Sequence, residues 1–222
     1  MRDNEGEEMK KIILILFMFV FLSTYSFAIE VLQPNKNIPT IPDDVMENMK
    51  KSSVSIFSTS DRGSGICSGT VLKNDYDGAE IITAKHCIDV YEEVYVNNIS
   101  VIYQFSSAKD DLCLLVTNKT IPNKYPAKIA SYRTRLEDYV YHMGYPNFEQ
   151  YTSFGKVSQI SVDHQYFKGK VIPGCSGGGA FNNKGEFTGV VWGSLRFKKS
   201  LGIFEPLQDV KKFLKTIGKK YE

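Results

Sequence analysis

Histidine is scarce in this sequence: 222 residues hold three, beside four cysteines and one tryptophan. There is no Cys-x-x-Cys pair and no Cys/His cluster at metal-ligand spacing, which excludes the usual structural zinc patterns. A surplus of charge is missing too. Twenty-seven Lys+Arg face 25 Asp+Glu, and the formal net charge of +2 provides no large field for gathering nucleic acid. The apolar run from Ile12 to Leu22 falls well short of a membrane span of about 20 residues. With 42% hydrophobic and 23% charged residues, the composition also excludes wholesale disorder and collagen-like repetition. Function must come from a site.

What the N-terminus does have is a basic start at Lys10 and Lys11, that short apolar run, and small residues at Ser26 and Ala28. This is the pattern of a secretory signal peptide, so residues 1–28 are read as a leader cleaved after Ala28, leaving no stable membrane span. Asp3, Glu5, Glu7 and Glu8 are foreign to such a leader, and Met9 followed by two lysines is its more usual start. Export implies a secreted or periplasmic protein in an oxidising compartment. Cys67, Cys87, Cys113 and Cys175 can then form up to two disulfides among three pairings.

Residues 29–50 form an irregular segment with Pro34, Pro39 and Pro42, ending in a short helix that Asp43 or Asp44 can cap. β-rich runs follow at close spacing: Val54–Ser58, Ile66–Leu72, Glu80–Ala84, Val90–Val96, Ile99–Phe105 and Leu112–Val116. Asp77-Gly78 and Asn97-Asn98 mark tight hairpins between them. Residues 118–135 lack pattern and read as a linker. A second set comprises Tyr139–His142, Phe154–Val162, Gly178–Phe181, Phe187–Trp192 and Gly202–Phe204. A set of six runs and a set of five, without long helices between strands, predict an all-β protein of two six-stranded antiparallel barrels over residues 51–117 and 136–206. In residues 207–222 the period changes, and Val210, Phe213, Leu214 and Ile217 mark an amphipathic helix packed on the second barrel with its lysines in water.

Three short segments carry chemistry. Ile82-Thr83-Ala84-Lys85-His86-Cys87 ends a strand at a histidine, Asp110-Asp111-Leu112-Cys113-Leu114-Leu115 opens an apolar strand with acids, and Pro173-Gly174-Cys175-Ser176-Gly177-Gly178-Gly179 is a glycine-rich turn with a serine. Each alone has an innocent structural explanation. Together, in this order, they resemble the trypsin-like (chymotrypsin-fold) serine peptidases, whose histidine sits in Thr-Ala-x-His-Cys and whose serine sits in Gly-x-Ser-Gly-Gly. Other hydrolases place the same triad in different chain orders. The resemblance covers nearly all of residues 50–217. The Ile172-Pro173-Gly174 lead-in, the Gly144-Tyr145-Pro146 turn and the short intervals are most similar to the compact bacterial branch, the glutamyl-endopeptidase and HtrA type, with no PDZ-sized segment after the protease domain.

The resemblance implies two six-stranded antiparallel β-barrels with a C-terminal α-helix, and a secreted serine endopeptidase acting on polypeptides. A serine hydroxyl is a poor nucleophile until a base takes its proton, the role assigned to His86 toward Ser176. An acid must hold the imidazole; both Asp110 and Asp111 qualify, and the family's acid directly before a Leu-x-Leu-Leu strand favours Asp111. By the same likeness the backbone N–H groups of Gly174 and Ser176 form the oxyanion hole, and Cys67 and Cys87 form a disulfide clasping the histidine loop. Cys113 is expected to be a buried hydrophobe. Cys175 stands where trypsins have the Asp that pairs with a newly released N-terminus, so no such activation switch is expected. Cys175 is not taken as the nucleophile.

Val191, Trp192, Gly193 and Gly202 are similar to the family's pocket-lining positions, and the two glycines predict an open mouth. Lys170 or Val171 should form the pocket base. An inward Lys170 favours acidic P1 side chains, an outward one leaves an apolar pocket, and no Asp is there to select Lys or Arg. His142 and His164 are read as structural or exposed. No cofactor, metal or nucleic-acid partner is expected, and the protein is expected to be a monomer. The alternatives are a catalytically inactive homologue that binds peptides or surfaces, and an esterase or acyl-transfer enzyme on the same scaffold.

Overall fold

The computed structural model describes residues 40–195 and 198–221. The leader, residues 1–28, and residues 29–39 of the segment after it lie outside the described residues. Helix α1 (Asp43–Ser52) opens the described chain. Its N-cap is Pro42, and neither aspartate caps through its side chain; Asp43 and Asp44 lie in the first turn, where the helix dipole favours them.

Six strands follow: β1 (Ser53–Ser60), β2 (Gly63–Asp75), β3 (Gly78–Thr83), β4 (Glu93–Val96), β5 (Ile99–Ser106) and β6 (Cys113–Thr117). They close into an antiparallel barrel in the order β1-β2-β3-β6-β5-β4. A second closed barrel, β10-β11-β12-β9-β8-β7, uses β7 (Tyr139–Gly144), β8 (Tyr151–Ile160), β9 (Gln165–Phe167), β10 (Gly179–Phe181), β11 (Phe187–Leu195) and β12 (Lys198–Pro206). This is the chymotrypsin-like fold. The second set's unread sixth strand is β9, too short at three residues to display an alternating pattern.

Adjacent apolar residues explain how the barrels meet. Successive strand side chains point to opposite faces, so a strand buried on both sides reads as an apolar doublet. Ile81 and Leu115 fill the first barrel, while Ile82 and Leu114 face the seam between barrels. On β11, Val190 faces the seam and Val191 the second barrel's interior. The seam also takes Met49 of α1 and Val210, Phe213 and Leu214 of helix α2 (Leu207–Thr216). That helix is shorter than the sequence pattern suggested. After Gly218 the chain turns so that Lys219 Nζ reaches the buried Glu80 carboxylate at 2.5 Å, and Tyr221 donates its hydroxyl to the same group. Lys219 is therefore an ion-pair partner rather than a free lysine in water.

The patternless linker is strapped down. Asn74 donates its amide to the carbonyls of Ile121 and Lys124 at 2.9 and 2.8 Å and accepts the Ile121 N–H at 2.9 Å. A parallel bridge joins Ile129 to Phe187.

His142 on β7 is fully buried; its Nδ1 lies 3.0 Å from the Gly179 carbonyl and its Nε2 has no partner among the described residues. Burial pushes its pKa down from 6.5 to about 4. Between those values the unfolded chain binds a proton that the native protein refuses, so this group costs stability as pH falls through the window, by about 3 kcal/mol in all. Glu205 acts in the opposite sense: burial and neighbouring carboxylates raise it from 4.5 to about 8, so its contribution is lost as pH rises across that range. Denaturation midpoints of native and His142→Met proteins, measured from pH 7 to pH 4, should converge as the native protein alone loses the histidine contribution. Parallel curves would refute this.

Candidate active site

The ends of β3 and β6 bring the first two groups together. Thr83 pairs with Cys113 across these strands, so the short 3₁₀ turn after β3, Lys85–Cys87, sits beside the residues leading into β6. Asp111 accepts the His86 backbone N–H at 2.8 Å through Oδ1, and its Oδ2 lies 2.5 Å from His86 Nδ1. The Lys85 N–H donates to the Asp111 carbonyl at 3.3 Å. One carboxylate thus fixes both the turn and the imidazole plane. Asp110 faces elsewhere, 3.3 Å from the Ser107 hydroxyl that donates to it.

Ser176 lies in the loop between β9 and β10. The Gly177 N–H donates to the Val191 carbonyl at 2.7 Å, and the Val191 N–H returns to the Gly178 carbonyl at 2.8 Å, tying the serine turn to β11. From the first barrel, Ser68 holds the same turn. Its N–H donates to the Ser176 carbonyl and its hydroxyl to the Gly174 carbonyl, both at 2.8 Å, while that hydroxyl accepts the Tyr145 N–H at 2.8 Å. Ser68 was missed in the sequence, although it directly follows Cys67; nothing about a lone serine beside a cysteine signals a strut across a seam.

The Ser176 hydroxyl donates to the Trp192 carbonyl at 2.9 Å and makes no hydrogen bond to His86. The structure therefore joins His86 to Asp111 and leaves Ser176 turned aside, an arrangement in keeping with the loose nucleophile contacts of unliganded hydrolases. Gly174 adopts φ +91 and Gly177 φ +84. Neither the Gly174 nor the Ser176 N–H is engaged in a hydrogen bond among the described residues.

Residues 67–190 match the family model of the trypsin-like peptidase domain, more than half of the chain. The chain belongs to that family. It is a serine peptidase of the trypsin-like class. No curated protein matches its sequence. Among solved structures, a serine endoprotease from Yersinia pestis is similar with a TM-score of 0.67 and 22% identity, over 80% of this chain and 68% of that one. The Rv3671c protease of M. tuberculosis in its active form gives a TM-score of 0.68 and 20% identity, over 85% of this chain and 95% of that one. Its inactive form gives 0.67 and 19%, over 81% and 95%. These likenesses establish the shared fold.

Around the expected substrate pocket of this trypsin-like peptidase, the two glycines differ. A methyl group on Gly193 would meet only the Ser176 hydroxyl, at 4.0 Å, so that position is open. One on Gly202 would lie 2.3 Å from the Phe167 ring and 2.8 Å from Val171. The expectation of an open mouth at Gly202 is thus corrected: Phe167, brought by β9 directly opposite Gly202, fills that space. Val171 is buried with Val191 in the second barrel's core, Lys170 is exposed, and Trp192 is 37% exposed.

Cys113 and Cys175 are free and buried, and burial pushes each thiol up to about 11. Both stay protonated at neutral pH and are poor nucleophiles there.

Cys67 and Cys87 are joined in a disulfide that closes a 20-residue separation and tethers the His86 turn to β2. A loop of that size is worth about 3 kcal/mol. A Cys67→Ser/Cys87→Ser variant should unfold with a ΔG lower by about that amount. Denaturant titration checks it, and an unchanged midpoint would contradict the tether.

Proposed function

We propose that this chain is an exported serine endopeptidase that cleaves polypeptides through an acyl-enzyme on Ser176, with His86 as the base, Asp111 as the orienting acid and no cofactor. The single observation that carries this reading is the Asp111 carboxylate gripping both N–H groups of His86, beside a serine turn with two free backbone donors. Rotation about its Cα–Cβ bond frees the Ser176 hydroxyl from the Trp192 carbonyl. His86 Nε2 then takes its proton as Oγ bonds to the scissile carbonyl carbon. The carbonyl oxygen becomes an oxyanion held by the N–H groups of Gly174 and Ser176. The imidazolium, stabilised by Asp111, passes its proton to the leaving amine as the C–N bond breaks. Water then repeats the sequence and releases the acyl group as a carboxylic acid. Trp192 and Gly193 border the primary pocket, with the buried Val171 and Val191 behind them, and the exposed Lys170 leaves it apolar. The Cys67–Cys87 bond supports work in an oxidising compartment, secreted or periplasmic.

A fluorophosphonate probe tests this directly. It should label the native protein and Cys175→Ala on Ser176, and should not label Ser176→Ala; the labelled-competent proteins should also digest a mixed peptide library. Absence of labelling and digestion would leave the non-catalytic binding module standing. Turnover of esters without peptides would favour the esterase.

A further inference from the structure

Beside Asp111 lies a cavity of about 330 Å³ lined by Lys109, Asp110, Asp163, His164, Trp192 and Glu205, with Asp111 itself in the wall. Most of the acids around it are accounted for. Asp111 is held by His86, Asp110 accepts from Ser107, and the nearby Asp209 pairs with Lys212 at 2.8 Å. Glu205 is different. It is 2% exposed, its carboxylate lines the cavity, and it makes no hydrogen bond among the described residues. His164 Nδ1 lies 3.2 Å from its carboxylate, a contact so poorly aligned that the nitrogen is left without a hydrogen-bond partner among the described residues. Burial, then Asp110, Asp111, Asp209 and Asp163, raise the Glu205 carboxyl to about 8. Raised that far, the Glu205 carboxyl is largely protonated at neutral pH, and a cation entering the cavity would draw it into the charged form.

The kind of cation follows from the shape. Among the described residues, the acidic and imidazole atoms of this cavity do not converge closely enough to hold a metal ion. The one group that does is Cys67, His86 and Cys87, whose sulfurs are already joined to each other. Spread carboxylates around several hundred Å³ suit a long side chain ending in a guanidinium or ammonium group. Trp192 adds an aromatic wall, stacked on His164 at 5.7 Å and edge-on to His86 at 6.5 Å, and an aromatic face favours a cation. The position is equally telling. The cavity wall includes Asp111, which holds His86, and Trp192, whose carbonyl accepts the Ser176 hydroxyl at 2.9 Å, so the cavity adjoins residues that flank the nucleophile.

We propose that this cavity binds a lysine or arginine side chain of the polypeptide substrate, making a basic residue near the scissile bond a determinant of specificity. The proposal rests on the peptidase reading above and extends it. Selection for basic residues is displaced from the apolar primary pocket to this neighbouring site.

Trp192 is the protein's one tryptophan and forms part of the cavity wall, so its fluorescence reports occupancy. The test titrates the Ser176→Ala protein with alanine-based hexapeptides carrying arginine at each position in turn, and with counterparts carrying neutral, isosteric citrulline. At one position arginine should bind at least about tenfold more tightly than citrulline, as a buried charge pair requires, and should shift the Trp192 emission. Glu205→Gln combined with Asp163→Asn should abolish that difference. Asp163 is exposed, so Asp163→Asn alone, expected to reduce the difference, decides the matter should the Glu205 variant fail to fold. Equal binding of the two peptide series, or a preference that survives the acid substitutions, overturns the proposal. Binding here is read without the nucleophile. A protein that fails to label with fluorophosphonate therefore defeats the peptidase reading alone, whereas cleavage indifferent to basic residues defeats this inference alone.

Discussion

Ser176→Ala should lower kcat on a peptide substrate by about 10⁶-fold, and Asp111→Asn by about 10⁴-fold. The same change at Asp110 should cost orders of magnitude less. The geometry explains the separation. Asp111 accepts the His86 backbone N–H through one oxygen and meets Nδ1 with the other, so the carboxylate fixes the imidazole in the orientation and tautomer that leave Nε2 free to accept a proton. An asparagine at 111 presents an NH₂ group in place of one oxygen and favours the wrong tautomer, which removes the base while leaving the serine in place. Asp110 is bonded to Ser107, outside this relay. Steady-state kinetics on the three purified variants, with circular dichroism to verify folding, check the ranking. Loss of turnover at Asp110→Asn with Asp111→Asn spared would transfer the acid's role to Asp110.

What could be read from the sequence divides along physical lines. Strands buried on both faces announce themselves as apolar doublets, and the chemistry lies where those strands end: His86 after Ile81-Ile82 and Asp111 before Leu114-Leu115. The Asn97-Asn98 hairpin was equally legible, because both residues take positive φ, at 45° and 66°, as a tight primed turn demands. The stripe of Val210, Phe213 and Leu214 likewise became the buried face of α2. Three-residue β9 had no room to show a period, and the error at Gly202 follows from missing it. Without β9 there was no reason to expect the Phe167 ring opposite Gly202, and the glycine looked like space for a substrate. The cavity at Glu205 was illegible for another reason. Its acids come from the β5–β6 connection, the β8–β9 hairpin and β12, and only closure of the barrels brings them to one wall. Ser68 belongs to the same class, since its partners Gly174 and Ser176 lie more than a hundred residues onward.

Gly174→Ala should lower kcat by about 10²- to 10³-fold, or roughly 3–4 kcal/mol in the barrier, with little change in KM. Two independent constraints meet at this residue. Its φ of +91 lies where L side chains are strained, and an added Cβ would sit 2.7 Å from the Pro146 backbone, which has no flexible end to move aside. The backbone must therefore shift, and with it the N–H that is free to meet a developing oxyanion. Because the negative charge exists only as the serine attacks, misplacing its donor leaves substrate binding largely intact and raises the barrier to chemistry. A merely structural role for the glycine predicts something else: a lower thermal midpoint, and kinetics that recover once the temperature is reduced below it. Measuring kcat and KM well below the midpoint separates the two. A variant whose KM rises while kcat holds would remove the Gly174 N–H from the oxyanion site.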